Sequence, residues 1–585
     1  MIRRRFSWSR PDVLTRGLLL VMMIFAAQLF YLQVIQHSFY TAEANDIQVQ
    51  PLVIKPERGQ IYVRDGSATA PLVLNERVYT VFADPAEVKD VAKTADVLRA
   101  IIGGNSVGDI EPLLRDDSKK IRYRVIARNV TRTQADMIQK KELHGIGMQQ
   151  TSRRIYPEGS LASQLLGFVD NDGNGQYGLE GALNERLSGK PGLLQTVTDV
   201  RRIPLTIGRE DIDRPAVDGD DIVLSIDRTV QLKTEQILAS GLEKVDATKG
   251  SILIMNPNNG QIIAMANYPT YDPTNYAKVD DYSLFQNRIV STPYENGSVV
   301  KTLVIAAGLD SGAITTGSTF RDTTGCTKVE DRSICNIPED PILERATMQD
   351  ILTYSLNTGT VYVLRQMGGG EINKKARDTL YHYYHDQFRF GQLTGIEQQG
   401  ESGGIIISPN EQEGNAVRYS NMVFGQGMDQ TMIQTASAFS ALINGGTFYQ
   451  PHLVAGVQYD NGSFAAKQAE IIKKNVVASS VSATVRDMTV QGRKLGGFAR
   501  NDKHGYMIGG KTGSSQTIDP KTGKYTEDTI GSYLGFGGVT TPEYVIMVRV
   551  DDSKLPGNHG SAAAAPIFND MNSWMVDHYL TKDVN

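Results

Sequence analysis

One apolar run stands out along the chain. Residues 17–37 read GLLLVMMIFAAQLFYLQVIQH without a single Asp, Glu, Lys or Arg, which as a helix is long enough to cross a bilayer. Gln28 and Gln33 interrupt it and can face either a partner helix or the headgroup layer. The other apolar positions come in shorter periodic groups. Residues 48–54 and 59–63 read as extended segments, followed by a turn at Asp65-Gly66. The spacing of Val88, Val91, Ala95, Leu98 and Ile101 predicts a helix over 85–102. Residues 121–126 alternate like a strand, and 131–141 read as a helix with Thr131 at its N-cap. A glycine-punctuated helix and turn follow over 178–192. The acidic, apolar-poor run between Gly208 and Asp221 then marks a domain boundary. Beyond it, Val223-Leu224-Ser225-Ile226 is a strand leading into a helix that ends near Leu242. Residues 250–256 and 260–266 pair as a hairpin across Pro257-Asn258-Asn259-Gly260. Helices dominate 299–445, and 533–538 with 544–551 make a second hairpin. Strands at both ends with helices between predict one sheet assembled from the two ends of this unit.

Length and charge sharpen this picture. At 585 residues the chain exceeds one core, and at roughly 150 residues per domain two to four domains are expected. The boundaries fall into 1–16, 17–37, 38–220 and 221–585. A net charge of -5 with 21% charged residues shows no basic excess, so no nucleic-acid partner is expected. Arg3, Arg4, Arg5, Arg10 and Arg16 precede the apolar run, offset only by Asp12. The amino terminus is therefore expected in the cytoplasm and the rest of the chain outside. Ala42-Glu43-Ala44 resembles a signal-peptidase site, but the apolar run exceeds the usual signal core of about 7–15 residues, so a retained anchor is expected. His382 and His385 are spaced i, i+3 without further ligands nearby, which argues against zinc. No metal or cofactor is expected. Cys326 and Cys335 are the only cysteines; both lie in the exported part, where a local disulfide is expected.

Candidate chemistry begins at Tyr294-Glu295-Asn296-Gly297-Ser298-Val299-Val300-Lys301. The apolar residues after Ser298 leave no polar face, so a helix here must be buried, and Gly297 frees the backbone to turn into it. Ser298 and Lys301 are three apart and share a helix face. A lysine desolvated among Val, Leu and Ile favours its neutral form and can serve as base for the serine hydroxyl. Taken alone, Ser-x-x-Lys is common by chance. A second polar element, Ser355-Leu356-Asn357, breaks a helical stretch. The third, Gly509-Gly510-Lys511-Thr512-Gly513-Ser514, reads as a strand whose glycines let a ligand approach closely.

Ser-x-x-Lys, Ser-x-Asn and Lys-Thr-Gly in this order form the set shared by penicillin-binding proteins and serine β-lactamases. The chain from anchor to last hairpin resembles a class B penicillin-binding protein, the monofunctional transpeptidases of the bacterial cell wall. Arg58-Gly59-Gln60-Ile61-Tyr62-Val63-Arg64-Asp65-Gly66 is similar to their membrane-proximal motif, and Tyr156-Pro157-Glu158-Gly159 and Gly178-Leu179-Glu180 to later ones. Phe390-Gly391 to Gly395, Gly425-Gln426-Gly427 and Asn444-Gly445-Gly446 with Pro451 resemble their active-site-wall segments. The family usually has proline at Asn296, an acid at Val63 and threonine at Ser514. The change at Val63 questions the local bonding of that motif. Leu356 departs from the Ser-Asp-Asn of class A β-lactamases. Two decoys exist: Lys521-Thr522-Gly523 reads as an exposed turn, and Ser408-Pro409-Asn410 as a polar loop in which Ser408 caps a helix.

The resemblance implies an α+β multidomain fold: a cytoplasmic tail, a transmembrane helix, an extracytoplasmic dimerisation-type pedestal and a transpeptidase domain with a sheet flanked by helices. It implies that Ser298 attacks the bond between the terminal D-alanines of a peptidoglycan stem peptide. Lys301 takes its proton, Ser355 relays it, and Asn357 holds the substrate amide. Lys511 and Thr512 take the terminal carboxylate, and the N–H groups of Ser298 and Ser514, beside Gly513, form the oxyanion hole. β-Lactam antibiotics are attacked in the same way. Implied partners are the membrane, a SEDS-family glycosyltransferase and other elongation or division proteins. A D,D-carboxypeptidase, a β-lactamase and a non-catalytic penicillin sensor remain open readings.

Overall fold

The computed structural model describes residues 9–40, 49–115, 120–197, 211–459, 461–518, 522, 525–555 and 560–580. The chain separates into two compact units, one of residues 1–57 with 189–219 and one of residues 58–188 with 220–585.

In the first unit the apolar run forms the helix Arg10–Phe30, continued by a wider turn, Tyr31–Ile35. It begins earlier than the apolar run because Ser9 caps it, accepting a bond from the Asp12 N–H, and Pro11 occupies its first turn. None of its side chains is buried. Among the described residues this is the one helix long and apolar enough to cross a membrane. The same unit holds an antiparallel set in which Gly192–Val197 pairs with both Val49–Ile54 and Asp211–Arg214.

The second unit is built on two large sheets. In the first, Ile61–Asp65 lies parallel to Asp221–Asp227, so this sheet is continuous across residue 220. It extends through Ala68–Ala83, which pairs along its length with Ile146–Ile155 and, at its far end, with Arg124–Val130. The helix expected from residue 85 starts only at Val91, because Asp90 accepts the Lys93 N–H and fixes the start there. The strand expected from 121 starts at Arg124. Thr131 caps Arg132–Gln139 as expected, in a reciprocal box with Gln134. Val63 is buried in the core. Arg58 of the same motif and Arg154 share Glu180, whose two carboxylate oxygens bind them. Arg154 also donates to the Gly59 carbonyl at 2.7 Å and to Asn75 Oδ1 at 2.7 Å, so one buried carboxylate ties three segments together.

The second sheet follows the expected closure by both ends. Its order is Ile262–Tyr268, Lys249–Met255, Tyr544–Asp551, Tyr525–Gly538, Met507–Ile518, antiparallel throughout. Strand alternation makes two apolar faces. Ile252, Ile254, Ile546 and Val548 pack under the helices Arg228–Lys244 and Gly560–His578. Leu253, Met255, Leu534 and Met547 belong to the opposite core, with the buried helices Lys301–Asp310 and Met432–Ile443. The region 299–445 is not purely helical. Thr319–Asp322 pairs with Leu343–Thr347, and Cys326–Val329 with Arg332–Cys335. These strands are four or five residues long and mostly exposed, so they carry no apolar alternation to read. Cys326 and Cys335 face each other across the second hairpin and form the expected disulfide.

Candidate active site

The nucleophile turn is shaped by what presses on it. Gly297 has φ 62°, its N–H donates to the Gly425 carbonyl at 3.1 Å, and a Cβ there would lie 2.4 Å from the Ser514 oxygen. Only glycine fits both the backbone and the space. Asn296, where the family usually has proline, is buried and donates to Thr435 Oγ1 at 2.7 Å. A side-chain hydrogen bond thus holds the turn where a ring would stiffen it. Ser298 sits in a single 3₁₀ turn, Gly297–Val300, which runs without a break into Lys301–Asp310. Ser298 reaches the cleft, whereas Lys301 is fully buried.

Lys301 Nζ donates to Asn357 Oδ1 at 2.6 Å, to Ser355 Oγ at 3.3 Å and to the Ser355 carbonyl. Ser355 has φ 61°, a left-handed conformation in the break between the helices Met348–Thr353 and Asn357–Met367. Such strain at a non-glycine residue persists where the surroundings over-determine it, and here its carbonyl and hydroxyl both serve Lys301. From the other side, Lys511 Nζ donates to Ser355 Oγ at 3.0 Å and to Thr512 Oγ1 at 3.2 Å. The Ser355 hydroxyl therefore lies between two buried lysines. Burial, then the neighbouring Lys511, pushes Lys301 far below the ordinary lysine range, with Asp340 opposing. Burial lowers Lys511 to about 7, again opposed by Asp340. Both ends of the Asn357 amide are engaged, since its Nδ2 donates to the Cys335 carbonyl at 2.9 Å. The disulfide hairpin thereby backs the residue that orients Lys301.

Gly513 supports the site by packing: a Cβ there would lie 2.6 Å from the Asn296 oxygen, so its absence lets the strand press against the nucleophile turn. Ser298, Ser355, Asn357, Thr512, Gly513 and Ser514 line one cleft of about 230 Å³, while Lys301 and Lys511 are buried beside it. Of the four further lining residues, Ile337, Asp340 and Phe424 escaped the sequence reading and Gln426 did not. Gln426 lies within a quoted wall motif, but nothing in the sequence around Asp340 signals its place. Glu295 was also missed. It is buried, its Oε1 accepts from the Gly427 N–H at 2.6 Å and Tyr525 Oη at 3.0 Å, and burial raises its pKa. It ties the nucleophile turn to two cleft walls.

Ser408 does not cap a helix. Its Oγ accepts from the Asn410 N–H at 3.3 Å within a turn, and Asn415 caps the next helix, Ala416–Met422. Lys521 and Gly523 of the other decoy, and Ala42-Glu43-Ala44, lie outside the described residues. His382 and His385 both bond Asp386, at 3.0 and 2.8 Å. Among the described residues no group of three or more His, Cys, Asp or Glu could hold a metal ion.

A serine beside a desolvated lysine, with a hydroxyl shared between two lysines and a strand edge opposite, defines an acyl-transferring serine enzyme. Comparison with known proteins agrees. Residues 250–573 match the penicillin binding protein transpeptidase domain, and 53–224 the penicillin-binding protein dimerisation domain. The chain is 32% identical over 555 residues to stage V sporulation protein D of Bacillus subtilis (strain 168), covering 94% of this chain and 82% of that protein. It is 26% identical over 579 residues to the peptidoglycan D,D-transpeptidase FtsI of Escherichia coli (strain K12), covering 96% and 90%. The crystal structure of penicillin binding protein 2X from Streptococcus thermophilus superposes with a TM-score of 0.70 at 23% identity, covering 90% of this chain and 80% of that one; at that identity it shows the fold alone. The chain belongs to the penicillin-binding protein transpeptidase family.

Proposed function

We propose that this chain is a peptidoglycan D,D-transpeptidase in which Ser298 is the nucleophile and Lys301 its base. The carrying observation is the burial of Lys301 one turn from Ser298, with its ammonium disfavoured by desolvation and by a second lysine. Neutral Lys301 takes the Ser298 proton as Oγ attacks the carbonyl between the terminal D-alanines. Ser355 passes a proton to the departing amine, and an ester to Ser298 remains. Lys511 and Thr512 hold the substrate carboxylate, and Asn357 holds Lys301 as well as the substrate amide. The N–H groups of Ser298 and Ser514, with Gly513 between strand and turn, receive the oxyanion; losing one such donor costs about 2.7–4 kcal/mol of transition-state stabilisation. An amine from a neighbouring stem releases the ester as a cross-link.

The same reading places residues 1–16 in the cytoplasm, 17–37 in the membrane, 38–220 as an extracytoplasmic pedestal and 221–585 as the transpeptidase domain. The limits of the two family matches support a division near 220, although one sheet continues across it. A multi-spanning glycosyltransferase of the SEDS family is the partner proposed for the anchor and pedestal. The test is acylation by a labelled penicillin followed by peptide mapping. Label is expected on Ser298, absent in Ser298→Ala and slowed by orders of magnitude in Lys301→Ala; label on another serine overturns the assignment. Cross-linked product from lipid-linked precursor and a partner polymerase separates a transpeptidase from a carboxypeptidase, a β-lactamase or a sensor.

A further inference from the structure

Asp340 is the one carboxylate among the residues lining the cleft beside Ser298. It sits in the short loop that leads from the disulfide hairpin toward Leu343–Thr347. Its Oδ2 accepts from the Ile337 N–H at 3.2 Å, which fixes the side chain in the loop. Oδ1 has no hydrogen-bond partner among the described residues, and Asp340 makes no ion pair there. It is not locked as counter-ion to either lysine, although both feel its charge. Lys301 in particular is disposed to be neutral and needs no counter-ion. The donor peptide gains nothing from this carboxylate, because the donor brings a carboxylate of its own. The reactant of opposite charge is the amine that must reach the acyl-enzyme, which is an ammonium near neutral pH.

We propose that Asp340 is the specificity residue for the acceptor, receiving the cationic amine of the second stem peptide on its open carboxylate oxygen next to Ser298. This rests on the assignment of Ser298 as nucleophile. The ammonium gives one proton to Asp340, which releases it to solvent. The neutral nitrogen then attacks the acyl carbon. The C–N bond forms, the ester C–O bond to Ser298 breaks, and the second amine proton returns to Ser298 Oγ through the Lys301–Ser355 pair. An amide and the free serine result.

The experiment uses the full chain in detergent, a thioester donor that acylates the serine, and two acceptors. D-Alaninamide is largely cationic at pH 7, whereas hydroxylamine is neutral. In Asp340→Asn, penicillin acylation is expected to slow near pH 7, because the carboxylate that favours the Lys511 ammonium is gone, so the acceptor role is read from the partition of the acyl-enzyme and not from its formation. The ratio of aminolysis to hydrolysis should fall about tenfold for D-alaninamide, the scale of one charge-assisted hydrogen bond, and stay unchanged for hydroxylamine. Asp340→Glu should restore most of the D-alaninamide ratio. An unchanged ratio or an equal loss with both acceptors overturns the acceptor role while the Ser298 assignment stands. Failure of penicillin and thioester to acylate Ser298 in the parent chain overturns both.

Discussion

Two lysines around one hydroxyl set the chemistry at the scale of single residues. The proposed mechanism needs Lys301 neutral and Lys511 charged for acylation, and burial makes the first easy and the second costly. The rate should therefore rise with pH through the depressed range of Lys301 and fall as Lys511 loses its proton. In the free enzyme that loss is centred at about 7, so the second-order constant for penicillin acylation should decline above it. A bound carboxylate favours the ammonium, so at saturating penicillin the alkaline limb should move upward. Stopped-flow acylation across pH checks both, and Lys511→Ala should slow acylation and remove the limb. A limb at the same pH in the free and saturated enzyme excludes Lys511 as the carboxylate site. The linkage to stability has a definite sign. Between about 7 and the ordinary lysine value the unfolded chain binds more protons at Lys511, so its contribution to stability rises with pH across that window and is lost as pH falls through about 7.

Among the elements, the turns and hairpins around the helices do most of the positioning. The short hairpin closed by Cys326 and Cys335 carries the carbonyl that receives Asn357, and Asn336 just beyond it accepts the Thr358 N–H at 3.0 Å. The start of the Asn357–Met367 helix is thus fixed from outside that helix. Away from the cleft the equivalent tie is Glu180, fully buried between Arg58 and Arg154. Removing its charge leaves two guanidinium groups without their carboxylate, a change that typically costs about 3–5 kcal/mol. Glu180→Gln should therefore lower the apparent unfolding midpoint clearly. Glu76→Gln, in the exposed pair with Arg153 at 2.7 Å, should shift it little, since exposed pairs are worth about 0–1 kcal/mol. Differential scanning fluorimetry of the two variants checks the contrast, and equal shifts would show that Glu180 is not a structural tie.

For the whole molecule, an apolar helix of this length is expected to remain as an anchor. Mass spectrometry of the membrane-extracted protein should find the amino terminus upstream of residue 17. A mature terminus at Asn45 would show cleavage after Ala42-Glu43-Ala44 instead. The same scale explains how the cleft is shaped. The nucleophile turn is pinched between the Met507–Ile518 strand and the Gly425 segment, at contacts where Gly297 and Gly513 leave no room for a side chain. The first two motifs are embedded in one continuous core, and Lys511 ties the third to them through Ser355.

Periodicity and motif order by themselves determined the long apolar helix, the two hairpins of the central sheet, the buried helix after Ser298 and seven of the cleft-lining residues, because these depend on local spacing and on chemistry that few residue types supply. The disulfide was legible from two cysteines in the part of the chain expected to be exported. Tertiary structure alone decided the rest. The short exposed strands near Cys326 have no apolar alternation, since their stability comes from pairing and the bridge. The sheet joining Ile61–Asp65 to Asp221–Asp227 is a contact between segments far apart in sequence. Glu180 meets Arg58 and Arg154 because charge compensation is set by position in space and not along the chain. Asp340 reaches the cleft, and Glu295 meets Gly427 and Tyr525, through loop paths that no pattern encodes, and the proton balance of Lys301 follows from burial and from a second lysine that only folding brings beside it.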